Sequence, residues 1–597
     1  MNKKTVLNLK NTGKTGKIGK VLFCLCFFAC TALAFGRGEQ ELVDAGHWVY
    51  ESVEKLCMES GMVNFSDSAP VSISELKLYL KEIDFSSLSE AGQAEYKKIQ
   101  DYFNYEPLGL KSDLIKLGVE PSINLSAFYK TDDDIAWVYD RYQRSPFIAA
   151  PLSLQVSDFI SMKMDLALRM NKNNAVKDDV YSNIPFSADA IDINFPDNAW
   201  FSAGKKIGDK TGISFLIGQG AKNIGRSLTG SIIWSEYFTG STNAQFSVYS
   251  PNIKYTASVS QFNVDKYMYL HQLDLRFFKK LTFTVLEGVL VNAPLELRYL
   301  NPLTIFHGMA PWREYDGLSY DSESHTGAYL GLKFQFAPVE NLKFYGLYAM
   351  TQFQTSYETS NYPDDSTPNG IGGQLGGRYT LPLSKGRFTF SLEGSYAQPY
   401  LYIKESPNWS LVRTYAENMG SKKYPFYEWV GSPFGPDTIS AELEAGYEVP
   451  DRWAVNLVYL FMARGEMSGT NVFDTMTGSD GKYLWGGVYT GHDYPDGWCY
   501  PGIEIDDKAS GTTDDEKRNT TDSSVFPDKT AKQLQSLVTP TGTPEFVHRV
   551  SVRGTYRFSS SVEGVVQPSF VYILNKGHQH GKTACGVEVA GGCSIKF

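Results

Sequence analysis

Residues able to do chemistry are sparse in this 597-residue chain. Its eight histidines are scattered, and only His578 and His580 lie close together. On a strand that pair would share a face and could clip a metal. Within Asn575–Gly581, however, the two read as a hairpin tip, where solvated turn residues are expected. Asp474, Asp480 and Gly481 match part of a calcium loop but lack its remaining ligands. No catalytic residue, metal or cofactor is expected, and the chain reads as non-enzymatic. What remains are charges at alternating positions: Lys163, Arg169, Arg276, Lys343, Arg387, Arg549, Arg553 and Arg557 against Asp165, Asp274, Glu393, Glu442, Glu444, Glu563 and Glu588. Such a set can pair within a solvated interior or offer a polar surface to an anionic or sugar ligand. Trp485, Tyr489 and Trp498 lie in a long polar stretch, where flat aromatic faces suit sugar rings.

Strands must position these residues. From about Ser122 the apolar period is two. Ile160, Met162, Met164, Leu166 and Leu168 alternate with Ser161, Lys163, Asp165 and Ala167, and similar runs recur to the end. The last run places Cys585, Val587, Val589, Cys593, Ile595 and Phe597 on one parity. Gly586, Glu588, Ala590 and Lys596 take the other. Short turns at 338–341, 383–386, 448–451 and 559–561 alternate with long connections at 171–197, 292–324, 353–369, 400–436 and 465–545. A closing alternating strand that ends on Phe, with short and long connections in turn, predicts an antiparallel transmembrane β-barrel. About nineteen candidate strands are read. Closure favours an even number, so eighteen are expected, with the irregular spacing between Ile184 and Tyr237 hiding the miscount.

Glu287 breaks the pattern. It shares parity with Phe283, Val285, Val289 and Val291, and a charge facing lipid is costly. The sequence reading therefore expects a β-bulge at Leu286–Gly288 that turns Glu287 inward, toward Arg276.

The chain begins differently. Six lysines precede an apolar run, Val21–Ala34, that ends in Ala32-Leu33-Ala34. Residues 1–34 read as a secretory signal peptide, with Phe27-Phe28-Ala29-Cys30 as a loose lipobox alternative. Its removal leaves 50 basic residues against 66 acidic, a net charge of −16, which disfavours nucleic acid as a partner. Residues 35–107 have helical periodicity and form a small helical domain, expected in the periplasm. Ser72 with Glu75 forms a capping box, and Ser89 caps a further helix. Residues 108–597 form the barrel, with 465–545 its largest loop. Of the four cysteines beyond residue 34, Cys585 and Cys593 lie eight residues apart on one strand, ~26 Å, and cannot bridge each other. They read as small apolar residues facing lipid.

Four segments resemble the Wzi-type capsule assembly proteins. These are Ile217-Gly218-Gln219-Gly220, Tyr269-Leu270-His271-Gln272-Leu273, Leu286-Glu287-Gly288-Val289 and Leu300-Asn301-Pro302-Leu303-Thr304-Ile305-Phe306. The resemblance implies an eighteen-stranded outer-membrane barrel with a periplasmic helical module. It also implies a lectin that holds capsular polysaccharide at the cell surface. Trp485, Tyr489, Trp498, Arg276 and Glu287 are then the residues expected to bind it. Outer-membrane lipid and, through the strand ending in Phe597, the barrel assembly machinery are further expected partners. A second stretch, Gly46-His47-Trp48-Val49-Tyr50, is similar to the opening of an S-layer homology motif. Ile73-Ser74-Glu75 lacks the arginine of that motif's second half, so packing against the barrel is the expected role. A porin or substrate-specific channel is the alternative function. An outer-membrane lipase is a third, although no serine–histidine pair can be placed for it.

Overall fold

The computed structural model describes residues 37–193, 196–306, 326–361, 369–403, 410–419, 422–468 and 537–597. The expected signal peptide at 1–34, with Cys30, and most of the expected loop 465–545, with Trp485, Tyr489 and Trp498, lie outside them.

Eighteen antiparallel strands close into a barrel. In chain order they are β1 (Ser122–Lys130), β2 (Ile148–Val156), β3 (Ile160–Leu168), β4 (Ala199–Ile207), β5 (Thr211–Gln219), β6 (Thr242–Tyr249), β7 (Ile253–Asn263), β8 (Lys266–Phe277) and β9 (Leu281–Val291). They continue as β10 (Thr326–Val339), β11 (Leu342–Gln352), β12 (Gly370–Pro382), β13 (Arg387–Ala397), β14 (Thr438–Val449), β15 (Trp453–Arg464), β16 (Glu545–Arg557), β17 (Val562–Leu574) and β18 (Thr583–Lys596). β18 closes onto β1, with Glu588 opposite Lys130 and Lys596 opposite Ser122. One end of the barrel carries the short turns and the other the long loops. At the turn end a short hairpin, Leu108–Lys111 with Ile115–Val119, lengthens the wall. Its second strand keeps the register of β1 along β2: Val119 faces Leu152, then Ser122 faces Ala149.

Alternation decides which face each side chain takes. On β18, Cys585, Val587 and Val589 point outward while Glu588 and Ala590 are buried within. Phe215, Phe246, Phe283, Phe334, Phe344 and Phe390 are among the outward residues left exposed around the wall. An apolar belt of this kind suits acyl chains. No helix among the described residues is long and apolar enough to cross a membrane.

The barrel is filled rather than hollow. From the turn end enters the N-terminal module, built on α1 (Trp48–Glu59), α2 (Ile73–Leu80) and α3 (Glu90–Asn104). The Ser72 hydroxyl accepts the Glu75 N–H and Ser89 caps α3. α1 stops at Gly61, whose positive φ of 65° lets the Met62 amide fold back to the Cys57 carbonyl. Val49, Val53, Leu56, Ile73, Leu76 and Ile99 form the module's own apolar core. From the loop end descend segments 131–147 and 220–241, with 398–403, 410–413 and 427–437. Ile232, Ile233, Trp234, Phe238, Tyr400, Leu401 and Val430 pack there with inward Leu286, Leu290 and Tyr329 in a second core. Much of the lumen is therefore dry, where the charge alternation had predicted solvated polar walls.

Candidate functional site

Inward charges on the wall pair mainly with the segments that fill the lumen. In most of these pairs the wall supplies the cation and the helical module the anion; Lys55 of α1, reaching Glu448 of β14 at 2.9 Å, is the reverse case. Lys163 pairs with Asp44, Lys333 with Asp67, Lys343 with Glu54, and Arg276 with Glu82. Lys254 reaches Glu75 at 2.5 Å. Burial alone would raise the Glu54 carboxyl; Lys343, Arg378 and Arg226 outweigh it and hold it at about 2. Each of these buried ions thus has its counter-ion, which a low-dielectric interior demands.

The carboxylates of the wall are met from the loop end. Glu393 accepts the amides of Leu228 and Thr229 at 2.8 and 3.0 Å. Glu588 accepts those of Val138 and Tyr139, both at 2.7 Å. The two fillings then meet mid-lumen. Ala69 of the module and Asn223 of segment 220–241 exchange backbone hydrogen bonds of 2.9 Å in both directions. Arg226 extends the join, its side chain 3.3 Å from Glu54.

Two expected site residues do not come together. Arg276 points inward and is committed to Glu82. Glu287 points outward. The expected β-bulge is absent, because β9 runs in unbroken register with both neighbours, Glu287 facing His271 on one side and Leu330 on the other. A different device handles the charge. Segment 292–306 folds back over the outer wall. Its Phe306 ring lies 4.2 Å from that of His271, and Tyr299 packs on Tyr269 at 5.0 Å. Val289, Val291 and Tyr269 are buried beneath it, and the Tyr255 hydroxyl donates to the Pro302 carbonyl. Outward polarity is covered by chain instead of being turned inside.

The fillings leave a cavity of about 550 Å³ against β14, β15 and β16. Glu442 and Glu444 line it from β14, and Arg549 and Arg553 from β16. Segment 131–147 contributes Asp140 and Tyr142; segment 220–241 contributes Glu236 and Tyr237. The two tyrosine rings meet edge to face at 4.9 Å. Burial pushes the carboxyls of Glu236 and Asp140 above their usual range.

Comparison with solved structures places this architecture. The fold is similar to that of Wzi, described as an outer membrane protein involved in group 1 capsule assembly in Escherichia coli and a carbohydrate-binding β-barrel. The TM-score is 0.50 at 12% identity, over 94% of this chain and 100% of that one. Pseudomonas aeruginosa OprD is matched at TM-score 0.36 and 9% identity, over 81% and 95% of the two chains. The outer membrane channel DcaP of Acinetobacter baumannii is matched at 0.32 and 9%, over 82% and 99%. No family model and no curated protein matches the chain. The fold expected from the four short segments is thus the fold observed.

Sequence reasoning had placed Glu442, Glu444, Arg549 and Arg553 in the lumen but saw nothing to set them apart. Asp140, Tyr142, Glu236 and Tyr237 were missed, because they lie on connections without periodicity.

Proposed function

We propose that this protein is a bacterial outer-membrane barrel that binds and organises a surface polysaccharide without catalysis. The turn end with its helical module then faces the periplasm, and the long loops face outward. The observation that carries this reading is the closed lumen: the Ala69–Asn223 join ties a plug from one end to an insert from the other. A lumen so filled suits holding better than conducting. The carbohydrate binding described for Wzi, which shares the fold, supports a saccharide as the ligand. Trp485, Tyr489 and Trp498 remain the proposed stacking residues on the outside. Lipid would surround the exposed belt. Phe597, 60% exposed and tied to the Pro121 carbonyl by its N–H at 3.1 Å, is available to the assembly machinery.

Two measurements test the proposal. In planar bilayers the purified chain should give no large steady conductance; stable open pores would favour the channel alternative. Host cells lacking the chain should shed surface polysaccharide into the medium. Unchanged retention in those cells would overturn the binding role.

A further inference from the structure

The cavity departs from the charge balance seen elsewhere in the lumen. Neither Glu442 nor Glu444 forms a hydrogen bond or ion pair among the described residues, and the same holds for Glu236 on the facing segment. The surrounding cations act on them only through space: Arg549 on Glu442, Arg378 and Lys55 on Glu444, and Arg226 on Glu236. In register, Glu442 faces Leu460 and Leu460 faces Arg549. Two strand spacings of ~4.8 Å therefore put about 10 Å between the Glu442 and Arg549 backbones, with an apolar strand between. Arg553 donates to Gln567 at 3.1 Å. Asp140, the fourth acid, is held by the amides of Tyr142 and Gln143. The module residues at the floor, Ala45 and Gly46, bring no charge, although the same module supplies counter-ions to Lys163, Lys333 and Lys343.

Carboxylates partly withdrawn from water without an ion pair are costly. Three of them face one void without an ion pair among the described residues, which leaves room for a cation brought from outside. We propose that this cavity binds a saccharide unit carrying a free amine. The ammonium would sit among Glu236, Glu442 and Glu444. Asn456, Gln143 and Ser551 would meet hydroxyls, and the Tyr142–Tyr237 pair would cover a ring face. The demand for a cation rests on the charge balance alone. The saccharide class rests on the polysaccharide-binding reading above.

The test is calorimetric titration of the full chain in detergent with a β-1,4-linked glucosamine tetramer and with its fully N-acetylated form. The amine form should bind, and the acetylated form should bind at least tenfold more weakly. Glu442→Gln with Glu444→Gln should weaken the amine form tenfold or more. Val458→Phe, which intrudes on the void and leaves every charge in place, should also weaken binding tenfold or more. Each variant is first checked for the heat-dependent gel shift of a folded barrel. Equal binding of both tetramers, binding of neither, or unweakened binding by a folded variant would overturn the proposal. Polysaccharide retention by cells is read separately, so the cavity proposal can fail while the surface role stands.

Discussion

Asp67, on the helical module, accepts the backbone N–H of Arg226, on the segment descending from the opposite end, at 3.2 Å. The same carboxylate takes the Lys333 ammonium and the Gln335 amide from the wall. One side chain thus ties three parts of the fold together.

Its removal should loosen the plug. Asp67→Ala with Glu54→Ala leaves Lys333, Lys343, Arg378 and Arg226 without their module partners. Breaking a buried pair from one side costs about 3–5 kcal/mol. The expected result is a barrel that still shows the heat-dependent gel shift but whose residues 37–104 become sensitive to protease. Unchanged protease resistance would show that the module's apolar contacts hold it alone.

Lys222 gives a pH dependence of defined sign. Its ammonium donates to Ser258 at 2.9 Å and lies 4.8 Å from the Trp234 ring. The nearest charge the structure sets against it is Lys254, itself paired with Glu75. Burial, then Lys254, lowers the amine to about 7. The unfolded chain therefore binds the proton more tightly, and stability should rise as pH increases from about 7 toward the ordinary lysine range. Lys222→Met should stabilise the barrel at neutral pH by a few kcal/mol and flatten that slope. Urea unfolding in lipid at pH 6.5 and 9.5 checks both.

Cysteine labelling reports the faces of the wall. Cys585 is exposed on the outward parity, whereas Cys57 is buried in the module and burial pushes its thiol up to about 12. In a Cys499→Ala background and in lipid vesicles, a membrane-soluble maleimide should label Cys585. A charged maleimide should label neither cysteine until the protein is unfolded. Rapid labelling of Cys57 in the folded state would contradict its burial.

Outward polarity on β8 and β9 should behave as a coupled pair. His271→Leu deprives Glu287 of its cross-strand polar neighbour on the outer face and should cost roughly 1–3 kcal/mol. Glu287→Leu removes a charge from the belt and should cost less or stabilise, since Asp and Glu on the lipid face are unfavourable. Additive effects in the double variant would deny the coupling.

The barrel was legible in the sequence, and its filling was not. Alternation from Ile160 to Leu168 and along Cys585–Phe597 fixes both period and facing, because a strand repeats every two residues whatever surrounds it. Strand count followed from the same signal, and the resemblance to the Wzi-type fold from four short segments between 217 and 306. Glu287 was misjudged for a physical reason. Parity correctly put it on the lipid side, but local pattern holds no record of a distant segment, 292–306, folding over it. The inserts were invisible for a related reason. Ile232, Trp234 and Tyr402 lie on connections with no period, and Ile232 meets Gln374 and Tyr402 from more than a hundred residues away. Glu442 and Glu444 could be assigned to the lumen. That the fillings leave them facing a void could not.

The covered patch has a consequence for how the molecule sits among its neighbours. Phe215, Phe246, Ala257, His271, Glu287 and Leu330 follow one another through the register from strand to strand. A cylinder coated evenly in phenylalanine and leucine has no azimuth: rotated about its axis, it meets the same surroundings. Over β8 and β9 the ring is interrupted by a histidine, a glutamate and a chain segment bearing Leu297, Leu303 and Ile305. The barrel therefore has a front.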